Sequence, residues 1–110
     1  MGVYGYIRIS RDEDGSRDSI ESQRNVIRVF AEESGLMIDD IIEDNNVSGY
    51  TYDRPGLNEL NELIDEGKVD ILLAKDLSRI GRHNAKTLLY IEHLEEKNVK
   101  LMLKSVLALC

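Results

Sequence analysis

The sequence predicts an α/β domain, a three-layer-like arrangement in which helices flank a mainly parallel central sheet of about four strands. Three observations carry that expectation. Short β-branched and aliphatic runs alternate along the chain with segments of helical periodicity. One run, Val69–Ala74, is apolar almost throughout, the pattern of a strand covered on both faces. The connections are long enough for helical crossovers, and these give right-handed βαβ units.

The first strand is Tyr4-Gly5-Tyr6-Ile7-Arg8-Ile9-Ser10, where aromatic and β-branched residues give way to the polar segment Arg11–Asp18. Ser10 falls at its carboxyl end, and Arg8 shares the face of Ser10 because strand side chains alternate with period two. Ligands of open α/β sheets bind beyond such strand ends. Asp18 or Ser19 can cap a helix over Ser19–Ser34, whose apolar residues Ile20, Val26, Ile27, Phe30 and Ala31 recur at helical spacing before Gly35. Met37–Glu43 is the second strand, and Asp44–Asp53, with Asn45-Asn46 and Ser48-Gly49, is turn-rich.

Arg54-Pro55 opens a second helix, since proline suits the first turn, and Leu57, Leu60, Leu63 and Ile64 line one face before Gly67. Val69–Ala74 is the central strand. Lys75–His83 is polar and leads into a helix carrying Leu88, Leu89, Ile91 and Leu94, of which Leu88, Ile91 and Leu94 are assigned to the core; it ends near Lys97-Asn98. Val99–Leu103 is the fourth strand. The ending, Lys104–Cys110, adds further apolar residues without a cap or polar tail and reads as a truncation.

Composition narrows the functional classes. The 110 residues make one domain, 32% charged and 42% hydrophobic, with one proline and no tryptophan, a soluble globular profile. A net charge of −7 excludes a surface that is basic overall, as a nucleic-acid footprint usually is, and leaves room for a local arginine cluster. The one cysteine, Cys110, excludes an internal disulfide framework. With no leader-like N-terminus and no apolar run of membrane-spanning length, the chain is assigned to the cytoplasm, away from the membrane.

Four motifs in order, Tyr6-Ile7-Arg8-Ile9-Ser10, Ser19-Ile20-Glu21-Ser22-Gln23, Ser48-Gly49 with Asp53-Arg54-Pro55-Gly56-Leu57, and Leu77-Ser78-Arg79-Ile80-Gly81-Arg82, together resemble the N-terminal catalytic domain of the serine recombinases. This is the resolvase and invertase family, and the pattern is closest to its large members. The resemblance runs from about Val3 to Lys100. It implies site-specific recombination of double-stranded DNA, with dimers and tetramers in the intact protein and no metal or nucleotide cofactor. By the motifs, Ser10 is the nucleophile that forms a 5′-phosphoserine link; Arg8, Arg79 and Arg82 surround the scissile phosphate; Arg54 and Gln23 support them. It also implies that a long interface helix and a DNA-binding domain are missing from these 110 residues.

Physical chemistry is consistent with that carry-over. Phosphoryl transfer places negative charge on non-bridging oxygens, and guanidinium groups offset it without a metal. Arg79 and Arg82, three apart, share a face if a helical turn begins at Ser78. Arginine does not readily accept a proton, and Ser78 stands where the family often has aspartate; Asp76, two residues earlier, is the candidate stand-in in the proton route.

Plainer readings compete at each position. A serine after a strand is usually a turn residue, Arg79 and Arg82 can be a solvated helix face, Arg54 can pair with Asp53, and Gln23 can be an exposed helix residue. His83 and His93 lack partners at ligand spacing and are read as surface residues. For the whole chain, one alternative is a non-catalytic remnant that pairs with and regulates full-length recombinases. The other is an unrelated receiver-like domain, which leaves the arginines unexplained.

Overall fold

A computed structural model describes residues 2–9, 20–45, 54–81 and 84–104. Among them, strands and helices alternate: β1 (Val3–Ile9), α1 (Ile20–Glu33), β2 (Asp40–Asn45), α2 (Pro55–Asp65), β3 (Ile71–Ala74), α3 (Leu77–Ile80), α4 (Asn84–Glu96) and β4 (Lys100–Leu103). The four strands are all parallel, in the order β2-β1-β3-β4. The α/β expectation holds in class, strand number and pairing direction.

The alternation of side chains along β1 divides the core into two layers. Val3 and Ile7 pack with Ile27 and Ala31 of α1 and with Ile71 and Leu73 of β3. Tyr6 faces the opposite way, into a cluster with Leu57, Leu60 and Ile64 of α2, Leu72 of β3, Ile80 of α3, and Tyr90 and Leu94 of α4. Burial of apolar surface on both sides of β3, at about 25 cal/mol per Å², explains why that strand reads as an unbroken apolar run.

The helix ends follow one device. Leu36 N–H and Gly35 N–H donate back to the carbonyls of Ala31 and Glu32, Lys68 and Gly67 do so to Leu63 and Ile64, and Val99 and Asn98 to Leu94 and Glu95. This is the double bond of a Schellman turn, and it needs a left-handed residue after the helix. Gly67 (φ 75°) and Asn98 (φ 61°) supply it for α2 and α4.

Several boundaries, among them a fourth strand that starts at Lys100 rather than Val99, and one face differ from the sequence expectations. The second strand runs Asp40–Asn45 rather than Met37–Glu43; just before it, Asp39 N–H reaches Val3 O at 2.8 Å and Ile38 packs against the Val3 and Ile7 cluster. The third starts at Ile71, although Val69 is already buried. The polar segment after β3 folds into a separate short helix, α3, closed by Gly81 N–H to Leu77 O, and α4 begins afresh at Asn84. That restart sets the rotational phase of α4: Thr87, Tyr90 and Leu94 turn inward, while Leu88 is 63% and Leu89 64% exposed. Leu88 is therefore not a core residue, and Ile91 is only partly buried.

Candidate active site

The strand order reverses between β1 and β3, since the chain passes from β1 outward to β2 and then returns to β3 and β4 on the other side. Open parallel sheets place their ligand crevice at such a switch point, beyond the carboxyl ends of the strands. The pairing of β1 with β3 spans only Val3–Gly5, whereas its pairing with β2 continues to Ile9. The last residues of β1 thus project past β3, and α3 packs against them.

Four of the six residues singled out from the sequence meet here: Arg8, Gln23 and Arg54 are fully buried and Arg79 is 7% exposed. The backbone carbonyl of Arg8 anchors two of the others. Arg79 Nη1 donates to it at 2.8 Å and Gln23 Nε2 at 3.3 Å, so α3 and α1 are both tied to the end of β1. Gln23 is thus not the exposed helix residue of the plainer reading. Arg54, extended at φ −128° and ψ 135° because a proline follows it, is the N-cap position of α2. Its side chain turns inward, where Nη1 donates to Arg79 O at 3.2 Å and to the Tyr6 hydroxyl at 3.0 Å. Ser10 and Arg82 lie outside the described residues, as does the side chain of Ser78.

Two further members went unnoticed in the sequence. Tyr6 Oη donates to Asp44 Oδ2 at 2.6 Å, and Asp44, 3% exposed at the end of β2, also accepts from the N–H groups of Gly56 at 2.7 Å and Leu57 at 2.9 Å. A carboxylate at a helix N-terminus satisfies orphan donors and meets the positive end of the dipole. Burial, reinforced by the bond to Asp44 and opposed by Arg54, pushes the Tyr6 hydroxyl well above its ordinary pKa of 10.0. Tyr6 therefore remains a neutral donor. Its signal was its spacing, two residues before Arg8 and on the same face; that of Asp44 was its place at a strand's carboxyl end.

Asp76 completes the ring, with Oδ1 3.7 Å from Arg79 Nε. Among the described residues, the network joins the guanidinium groups of Arg54 and Arg79 to the backbone of buried Arg8, with the carboxylates of Asp44 and Asp76 beside them, and guanidinium groups held in this way suit an anionic ligand. Among the described residues, no group of three or more His, Cys, Asp or Glu is placed to hold a metal ion, and no helix is long and apolar enough to cross a membrane.

The family model for the resolvase N-terminal domain matches residues 3–106. This chain belongs to the resolvase family. The resolvase domain described here is 30% identical over 99 residues to the transposon Tn3 resolvases of Escherichia coli and Klebsiella pneumoniae, covering 90% of this chain and 48% of theirs. It thus spans about half the length of those relatives. Among solved structures, it resembles the N-terminal catalytic domain of TP901-1 integrase in fold, with a TM-score of 0.84 at 24% identity over 94% of this chain and 77% of that one. A resolvase family site-specific recombinase from Streptococcus pneumoniae gives 0.77 at 28% identity over 94% and 71%.

Proposed function

We propose that this resolvase-family domain is the catalytic part of a site-specific DNA recombinase, in which Ser10 attacks a phosphodiester of double-stranded DNA. The Ser10 Oγ–P bond forms as the P–O3′ bond breaks. The hydroxyl proton leaves the serine, and the departing 3′-oxygen takes up a proton. The 5′-phosphoserine link keeps the phosphodiester character, so religation by the 3′-hydroxyl of an exchanged strand needs no nucleotide cofactor.

The observation that carries this reading is the convergence of Arg8, Arg54 and Arg79 at the end of β1, one residue before Ser10. Guanidinium groups held at fixed angles supply the electrostatic stabilisation that a transferring phosphoryl group requires. Arg82, one helical turn beyond Arg79 in the sequence, is assigned the same role, and Gln23 a supporting one. The whole recombinase would act on DNA as a dimer and tetramer, with site recognition and the long interface helix outside these 110 residues. The net charge of −7 supports placing the sequence-reading surface elsewhere.

The test is a covalent trap. The domain, in its full-length protein, is incubated with a nicked duplex carrying the DNA that borders its gene, and protein on the 5′ end is resolved by denaturing gel. An adduct that disappears in Ser10→Ala and falls by about 10²-fold or more in Arg8→Ala or Arg79→Ala is expected. An adduct that persists in Ser10→Ala would refute the assignment.

A further inference from the structure

We infer that Asp76 is a positioning residue of the site, one that sets the plane of the Arg79 guanidinium. The placement rests on geometry, and its catalytic consequence rests on the DNA-cleavage reading above. Asp76 lies between the end of β3 at Ala74 and the start of α3 at Leu77, and holds Arg79 twice. Its backbone carbonyl accepts the Arg79 N–H at 3.2 Å, and its carboxylate Oδ1 stands 3.7 Å from Arg79 Nε. The Arg79 side chain is 8% exposed and that of Asp76 21%, so water screens this pair less than it screens a surface ion pair.

A guanidinium is a rigid planar fork, so two contacts on different nitrogens fix its orientation. Arg79 has two, of different kinds: Nη1 donates to Arg8 O at 2.8 Å, and Nε faces Asp76 Oδ1 at 3.7 Å, beyond hydrogen-bond reach, so that end is oriented by charge. The effect extends further, because the Arg79 carbonyl seats Arg54 Nη1, which also donates to Tyr6. Asp44 is committed to Tyr6 and to the first turn of α2, and Asp76 is a carboxylate placed to balance Arg79. Position 78, the next polar residue along α3, is a serine and carries no charge for that task.

Two readouts test the inference. In the 15N-labelled 110-residue chain, Arg79 Nε–H, assigned by its loss in Arg79→Lys, exchanges slowly with water. Asp76→Asn accelerates that exchange about tenfold or more while the backbone amide spectrum is retained, and Asp76→Glu recovers part of the protection. If Asp76→Asn does not fold, Asp76→Ser, which keeps an oxygen before α3, takes its place. Unchanged exchange overturns the placement.

In single-turnover cleavage by the full-length protein, Asp76→Asn lowers the rate by about tenfold to 10²-fold without weakening binding of the duplex, and Asp76→Glu restores most of it. An unchanged rate beside altered exchange overturns the catalytic consequence. If the parent protein does not cleave, the DNA-cleavage reading fails instead, and the exchange result still decides where Asp76 acts.

Discussion

The Tyr6 hydroxyl and the Asp44 carboxylate are joined by a 2.6 Å hydrogen bond in the interior, and the same hydroxyl oxygen accepts from Arg54 Nη1 at 3.0 Å. A neutral phenol thereby links a carboxylate on β2 to a guanidinium at the N-cap of α2. Tyr6→Phe keeps the ring packing and removes both bonds. Hydrogen bonds to charged groups contribute about 1.5–3 kcal/mol each, so a loss of roughly 2–3 kcal/mol is expected by urea unfolding, while Arg54 Nη1 keeps its bond to the Arg79 carbonyl. A change below about 0.5 kcal/mol would show that the link carries no stability.

The same link makes stability fall at alkaline pH. Burial, with the bond to Asp44, raises the folded pKa of Tyr6 above its ordinary value of 10.0. Below the unfolded value the stabilisation is complete; as pH rises past it, the unfolded chain releases a proton that the folded chain retains. Stability then declines by about 1.4 kcal/mol per pH unit from this one group until the folded pKa is passed. Urea midpoints between pH 8 and 11 should show the decline, and Tyr6→Phe should remove one proton's share of it. Absorbance at 295 nm checks the cause: Tyr6 should withhold its ionisation until the chain unfolds, and Tyr6→Phe should remove that late step.

Gly56, in the Arg54-Pro55-Gly56-Leu57 motif, has a steric reason to be glycine. A Cβ there would lie 2.8 Å from Asp44 Oδ2, and that carboxylate is held by Gly56 N–H, Leu57 N–H and Tyr6. Alanine inside a helix ordinarily stabilises by about 0.8–1 kcal/mol over glycine. Gly56→Ala should instead destabilise by about 1–3 kcal/mol, as overpacking does. In an Asp44→Ala background the penalty should shrink, and a double-mutant cycle with additive effects would reject this account.

How far the site could be read from the chain depends on whether its contacts are local in sequence. Arg8, Arg54 and Arg79 were legible because each sits in a short motif at an element end, and the α/β class followed from runs such as Val69–Ala74. Tyr6 and Asp44 were not. Tyrosine in a strand reads as a β-former, and an aspartate before two asparagines reads as a turn residue. Their partnership comes from the parallel register that sets Tyr6 opposite Ile42 and Arg8 opposite Asp44, which local composition does not encode. The face of α4 was misjudged for a related reason. Leu88, Ile91 and Leu94 fit a helical stripe, but the break between α3 and α4 decides which stripe turns inward.

That correction leads to a direct comparison of two leucines on one helix. Leu94 is 1% exposed and packs with Leu60, Tyr90 and Val99, whereas Leu88 is 63% exposed. Leu94→Ala removes buried methyl groups and leaves a cavity, which should cost about 2–5 kcal/mol. Leu88→Gln removes little packing and keeps helix propensity, so its effect should stay within about 0.5 kcal/mol. Urea unfolding of the two variants of the 110-residue chain at low concentration measures both. Comparable losses would mean that Leu88 packs inward after all and that α4 is rotated relative to the sheet.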